Sequence, residues 1–209
     1  MNPTILLLIF VLLFAVITHE VAHGWVAYKC GDPTARDMGR LTLNPLPHID
    51  LFMTIIVPFL IYQMSGFIFG GAKPVPINPN NFRHPKGDMI LVSLAGCVSN
   101  FITAIFFALL IRLGIAGILP AFTTLCMYGV LINILLGVFN LIPIPPLDGS
   151  KVLMSVLPHR QMMTYLKFER FGFILIMLFV FSGMFGFVVR YIVLPLGYFM
   201  TGGLINRIL

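Results

Sequence analysis

Residues 18–23 read Thr-His-Glu-Val-Ala-His, and they end an apolar stretch, residues 4–18, that is typical of a membrane-spanning helix. On an α-helix, residues four apart lie about 40° apart around the axis, so His19 and His23 share a face. Two imidazoles on one face can ligate a single Zn²⁺, and Glu20 lies beside them as a candidate general base for a bound water. Because ionisable side chains inside a membrane span mark function, this stretch predicts both a membrane helix and a metal site.

The composition indicates an integral membrane protein. Of the 209 residues, 59% are hydrophobic and 10% are charged, and the mean hydropathy is +1.01. A soluble domain carries about 25% charged residues. We therefore predict an all-α polytopic membrane protein, one domain over residues 1–209 with about five to six transmembrane helices. Its core is expected at residues 4–157 and its C-terminal helices at residues 168–206.

Apolar stretches separated by turn signals place the transmembrane helices. Residues 51–69 are interrupted by Pro58 and followed by two glycines, so they either span the membrane or re-enter and return to the same side. We favour the re-entrant form because it places more of the basic residues on one face. Residues 41–43 are a candidate short strand. The predicted spans are residues 4–27, 88–111, 121–141 and 171–189, with a shorter apolar segment at residues 191–206.

The distribution of positive charge predicts an orientation and gives no indication of nucleic-acid binding. The net charge is +6, but the basic residues are scattered through loops. In the re-entrant form, ten of the thirteen basic residues share one face, which the positive-inside bias makes cytoplasmic. The ten are Lys29, Arg36, Arg40, Lys73, Arg83, Lys86, Lys151, Arg160, Lys167 and Arg170.

A catalytic zinc site needs a third protein ligand, and Asp148 is the best candidate. Apart from Glu20, it is the only acidic residue in sequence that looks membrane-embedded, and the prolines at 143, 145 and 146 can turn it inward. A buried carboxylate is costly alone, and a zinc ion would compensate its charge. The alternative is that Asp148 serves only as the N-cap of a new helix.

The remaining polar residues have less specific interpretations. Asn100 and Asn140 lie in or at the end of spans, where each either bonds to backbone or serves the site as a hydrogen-bond donor. His48, His84 and His159 lie in loops and are interpreted as surface or structural histidines. Cys30, Cys97 and Cys126 show no C-x-x-C spacing, so they are interpreted as small buried hydrophobes.

Several motifs in the same order resemble the site-2 proteases, a family of intramembrane zinc metalloproteases. The set covers about residues 15–155, and it most resembles the compact prokaryotic branch, because no PDZ or CBS module is present. Cys97 departs from the pattern, since a proline often follows the Ala-Gly pair. The motifs are His-Glu-Val-Ala-His at 19–23, Gly-Arg-Leu-Thr-Leu-Asn-Pro at 39–45, Ala-Lys-Pro-Val-Pro-Ile-Asn-Pro at 72–79, Ala-Gly at 95–96 with Asn100, and residues 140–149 from Asn140 to Asp148-Gly149.

The resemblance implies a role for each matching residue. It makes His19, His23 and Asp148 the ligands of one Zn²⁺ per chain and Glu20 the catalytic base. It associates Asn140 with the active site, and it implies that Asn100 helps to hold substrate or the oxyanion. The family also carries a membrane-inserted β-structure after its zinc helix, which fits a re-entrant segment at residues 51–69.

The resulting prediction is a zinc metalloendopeptidase of a prokaryotic cell membrane, with its active site toward the cytoplasm. Its expected partners are transmembrane protein or peptide substrates and the lipid bilayer. The expected process is regulated intramembrane proteolysis. The main alternative is an ion or metal transporter that uses the same His and Asp cluster as an ion path. A catalytically silent scaffold that binds membrane partners is a further alternative.

Overall fold

The chain folds as a set of helices. The computed structural model describes residues 3–50, 54, 56, 63 and 71–207, and within these residues it contains no β-strand. Residues 41–43 form bends rather than the strand proposed from the sequence, because the Thr42 side chain and carbonyl bond to Asn44 N and His48 Nε2. The helices are α1 Pro3–Lys29, α2 Thr34–Asp37, α3 Pro85–Arg112, α4 Pro120–Asn140, α5 Asp148–Val156, α6 His159–Glu169, α7 Gly172–Phe181 and α8 Met184–Thr201.

Four of the described helices are long and apolar enough to cross a membrane, and they make this a multi-pass membrane protein. They are Ile5–Lys29, Pro85–Arg112, Pro120–Asn140 and Met184–Thr201, with 18 to 28 residues each. Large apolar side chains such as Phe10, Phe106 and Phe199 are exposed on their outer faces, where lipid accommodates them. The first three spans agree with the sequence prediction, whereas the predicted re-entrant segment at residues 51–69 lies largely outside the described residues.

The C-terminal region differs from its prediction. A span at residues 171–189 followed by a separate segment was expected, but the break lies at Ser182 and Gly183, and α8 continues through Arg190. Gly183 adopts a left-handed conformation (φ +82°), which glycine reaches without a Cβ penalty. Residues Val189–Val193 form a π-helical turn shortly before Pro195, whose missing N–H disturbs the regular bonding of a helix.

Helices α1, α3 and α4 form the centre of the molecule, and each packs against the other two. The main apolar core lies between α3 and α4 and extends to α8. Gly129 of α4 lies against the ring of Phe107, which a Cβ at that position would overlap. Arg112 at the end of α3 donates from Nε to Met200 O (2.7 Å) and from Nη2 to Phe199 O, which ties α3 to the end of α8.

A buried carboxylate joins the loop after α1 to the extended segment at residues 72–78. Asp32 is fully buried, and its Oδ2 accepts from Asn78 N (2.7 Å). Its Oδ1 accepts from the Thr34 N–H (3.1 Å), from the Thr34 hydroxyl (2.5 Å) and from Asn81 Nδ2 (2.8 Å). Burial raises the pKa of Asp32, but these hydrogen bonds outweigh burial and hold the pKa below its usual value. The extended segment is therefore held against the end of α1 by an ionised group.

We predict that Asp32→Ala lowers the free energy of unfolding by about 3 kcal/mol, because charged hydrogen bonds are lost and buried N–H donors are left unpaired. Thermal unfolding in detergent, followed by the fluorescence of Trp25, measures the change. Because the folded pKa is depressed, this stability is present above the unfolded pKa of about 3.9 and is lost as pH falls through the folded pKa. Asp37→Ala, which removes an exposed pair with Arg36, is the control and should melt like the wild type. Equal melting of both variants would contradict the assignment.

Candidate metal centre

Three side chains from distant parts of the chain meet inside the helix bundle. His19 and His23 lie one turn apart on α1, and Asp148 is the first residue of α5. His19 Nε2, His23 Nε2 and Asp148 Oδ2 lie 3.0 Å from one another, and all three residues are buried. The four-residue spacing places the two rings on one face. Among the described residues, these three form a group that could hold a metal ion.

The hydrogen bond of His23 to backbone determines which of its ring nitrogens carries the proton. His23 Nδ1 lies 2.6 Å from Val92 O in α3. A backbone carbonyl can only accept, so the neutral imidazole must carry its proton on Nδ1. Its Nε2 therefore presents a lone pair to the cluster, which is the form that ligates a metal.

His19 is held in the same form by a side chain. Its Nδ1 lies 2.6 Å from Asn100 Oδ1, and Asn100 Nδ2 donates to Ala15 O at 3.2 Å. Because Ala15 O can only accept, the Asn100 amide must direct its nitrogen there and its oxygen toward the ring. His19 therefore donates from Nδ1 and presents the lone pair of Nε2 to the same point as His23.

The donor set fits a zinc ion. Two imidazole lone pairs and a carboxylate oxygen in a buried space repel one another unless a cation lies among them. Two histidines and a carboxylate are a ligand type of catalytic zinc, which keeps a further position open. Lys151 Nζ donates to Asp148 Oδ1 at 3.0 Å, and this leaves Oδ2 to face the histidines.

Gly96 of α3 lies directly against the two imidazoles. A Cβ at this position would lie 2.5 Å from His19 Cε1 and 2.5 Å from His23 Nε2, closer than atoms that are not bonded can approach. The absence of a side chain therefore lets α3 approach α1 closely enough to place Val92 O and Asn100 against the rings.

Glu20 follows His19 in α1 and is connected to the extended segment. Its Oε2 accepts from Val75 N at 2.8 Å, so the carboxylate is held by a backbone donor. Arg40 Nη2 donates to Lys73 O (2.8 Å) and to Pro74 O (3.3 Å), which holds the same segment from the other side. The candidate base is thus positioned at the boundary between α1 and the extended segment.

The other candidate residues lie in different settings. Asn100 is fully buried against His19, and Asn140 Nδ2 donates to Leu136 O (3.0 Å) within α4. His48 is buried and its Nε2 bonds to Thr42 O, whereas His84 and His159 are exposed. The sequence reasoning missed Lys151, although its spacing of three residues from Asp148 in a helix was a usable signal. It also missed the carbonyl of Val92, for which residue type gives no signal.

The chain also matches a known family over most of its length. The model of peptidase family M50 matches residues 7–117 and 115–183. The chain belongs to peptidase family M50, the site-2 proteases. No solved structure matches it.

Two relatives agree with this membership. The candidate zinc metalloprotease YwhC of Bacillus subtilis is 40% identical over 174 residues, which cover 80% of this chain and 76% of YwhC. The candidate zinc metalloprotease Rip2 of Mycolicibacterium smegmatis is 28% identical over 165 residues, which cover 78% of this chain and 62% of Rip2. This site-2 protease is a zinc metalloprotease with Zn²⁺ as its cofactor, and neither the family nor these relatives support the transporter alternative.

We predict about one zinc per chain in the purified protease, with strong loss in both His23→Ala and Asp148→Ala, because each variant removes one of three donors. Metal analysis after gel filtration in detergent measures the content. His159→Ala removes an exposed imidazole and is the control. Zinc that is indifferent to Asp148 would show that α5 does not contribute to the site.

We further predict that Gly96→Ala weakens zinc binding at least about tenfold, because the added methyl group would force α3 away from both imidazoles. Competition with a chromophoric chelator measures the affinity. Gly87→Ala is the matched control on the same helix, since a Cβ there meets nothing within 4 Å. If both glycine variants bind zinc like the wild type, the close approach of α3 is not required for the site.

Proposed function

We propose that this site-2 protease hydrolyses peptide bonds of transmembrane substrates within or near the bilayer, as in regulated intramembrane proteolysis. The observation that carries the proposal is the position of His19 and His23 within the span of α1, with Asp148 of α5 against them. His23 lies six residues and His19 ten residues before Lys29, the last residue of that span. At 1.5 Å per residue, they lie about 9 Å and 15 Å from its end, well inside a hydrocarbon core of about 30 Å.

The proposed ligands are His19, His23 and Asp148, and the proposed base is Glu20. These three residues would hold Zn²⁺, which would provide Lewis-acid chemistry at the scissile carbonyl and lower the pKa of the attacking water. Glu20 takes the proton from the attacking water and returns it to the leaving amine, so peptide bond and water are consumed together. Val75 N–H keeps the Glu20 carboxylate oriented, while Asn100 Oδ1 and Val92 O each accept from Nδ1 of an imidazole and so direct its Nε2 toward the metal position.

A cleft beside His23 indicates the form in which substrate enters. It has a volume of about 240 Å³ and lies between the extended segment, α3 and the start of α5. The peptide bonds of a substrate helix are shielded by its own hydrogen bonds, so the substrate has to unwind locally before its backbone reaches this cleft. The backbone of an unwound substrate can then pair with the extended segment at residues 72–78, in the way that peptides add to the edge of a sheet in other proteins. The cleft is lined by His23, Val75, Ile77, Pro79, Met89, Val92, Ser93 and Lys151.

Contacts around the end of α1 support a cytoplasmic orientation for this cleft. Lys73 N donates to His48 O (2.9 Å), so the chain before and after residues 51–70 meets at one place. Arg83 N donates to Cys30 O (3.2 Å), which places the loop that contains Arg83 at the C-terminal end of α1. Basic residues that precede and follow residues 51–70 therefore gather at one end of α1, and the positive-inside bias assigns that end to the cytoplasm of a prokaryotic cell.

We predict that Glu20→Gln retains zinc but lowers the rate of cleavage by a factor of at least about 10², because the amide cannot accept the proton of water. Its oxygen can still accept from Val75 N–H, so the fold is expected to persist. The assay follows a fluorescence-quenched single-span peptide with a central Gly-Pro step in proteoliposomes. Glu169→Gln, at an exposed acid, is the control. Cleavage by Glu20→Gln at the control rate would remove Glu20 from the mechanism, and ion flux without cleavage would favour a transporter.

A further inference from the structure

Asn133 is a buried polar residue outside the proposed site. It lies in α4, is fully buried, and is surrounded by the apolar core between α3 and α4. Its Nδ2 donates to Gly129 O at 2.8 Å, and its Oδ1 accepts from Asn100 Nδ2 at 2.9 Å. A buried amide is tolerated only when its polar atoms are paired, and here one of the partners is the residue that contacts His19.

The direction of each hydrogen bond in this group follows from the carbonyl at its end. Gly129 O can only accept, so Asn133 must direct its NH₂ group there and its oxygen toward Asn100. That oxygen can also only accept, so Asn100 must direct its NH₂ group toward α4 and its oxygen toward His19. His19 then has to donate from Nδ1, which leaves the lone pair on Nε2 for the metal.

We infer that Asn133 is a positioning residue for His19, acting through Asn100 to fix the tautomer and the ring orientation of this ligand. The inference rests on the proposed zinc site. If the Asn133 oxygen is removed, the hydrogen bond from Asn100 Nδ2 to Ala15 O has to hold the Asn100 amide in this orientation. At 3.2 Å, it is longer than the 2.9 Å bond that Nδ2 donates to Asn133. If the amide turned over, its NH₂ group would face Nδ1 of His19 and select the tautomer with a proton on Nε2. That tautomer has no lone pair on Nε2, the atom that faces the other two donors, so it cannot ligate zinc there.

The experiment compares zinc dissociation constants, measured by chelator competition in detergent, for wild type, Asn133→Ser, Asn100→Ala and the double variant. The serine hydroxyl can donate to Gly129 O, as Thr201 Oγ1 donates to Gly197 O at 2.8 Å, but it is too short to reach Asn100. Asn133→Ser is therefore expected to fold, which melting curves will check. Val130→Ala is the control, because it shortens another fully buried side chain of α4 without touching the amides.

We expect Asn133→Ser to weaken zinc binding about tenfold and Asn100→Ala to weaken it about 10- to 100-fold, as is usual for residues that orient metal ligands. Since Asn133 acts through Asn100, the double variant should bind zinc as Asn100→Ala alone does. Val130→Ala should bind zinc like the wild type.

Two results would overturn the inference while leaving the zinc site intact. One is wild-type affinity in Asn133→Ser, and the other is a double variant that adds the two losses, which would indicate a packing effect. Absence of zinc from the wild type is a different result, since it would overturn the proposed site together with the positioning role.

Discussion

Mutual repulsion among three electron-pair donors is the condition on which this structure depends. Two imidazole nitrogens and a carboxylate oxygen are held 3.0 Å apart in a space from which water is largely excluded. Such an arrangement is unfavourable for the protein alone and favourable around a divalent cation. The fold must therefore hold the donors against their own repulsion, and the packing of α1, α3 and the start of α5 supplies that force.

The far side of every donor is held by a group whose hydrogen-bonding role is fixed by its chemistry or by its own partners. A backbone carbonyl holds His23, an amide oriented by carbonyls holds His19, and a lysine ammonium holds the second oxygen of Asp148. Carbonyl oxygens only accept and ammonium groups only donate, so the protonation pattern follows from the backbone. Glu20 is likewise held by a backbone group, because its carboxylate accepts from the N–H of Val75. The proposed metal centre thus needs few charged residues beyond its three donors.

The sequence was sufficient for the parts of the structure that depend on residue type and spacing. Hydropathy located α1, α3 and α4, and the four-residue spacing of His19 and His23 located the shared face. Asp148 could be selected because acidic residues are scarce in the apolar segments. The break at Gly183 was missed, because one glycine in an apolar run does not show whether a helix ends there. The role of Val92 could not be predicted at all, since every residue carries a carbonyl and tertiary packing decides which one meets an imidazole.

The contacts of α3 with the two histidines lie at residues 92, 96 and 100, which is one residue in every four along a single stripe. All three contacts form in one register of α3 against α1, and all three are lost together in any other register. A conservative change of side chain can be absorbed locally. One added or deleted residue between 92 and 100, however, would turn part of the stripe by about 100° and separate the contacts of α3 with the two histidines. The length of this part of α3 is therefore constrained more strictly than most of its composition.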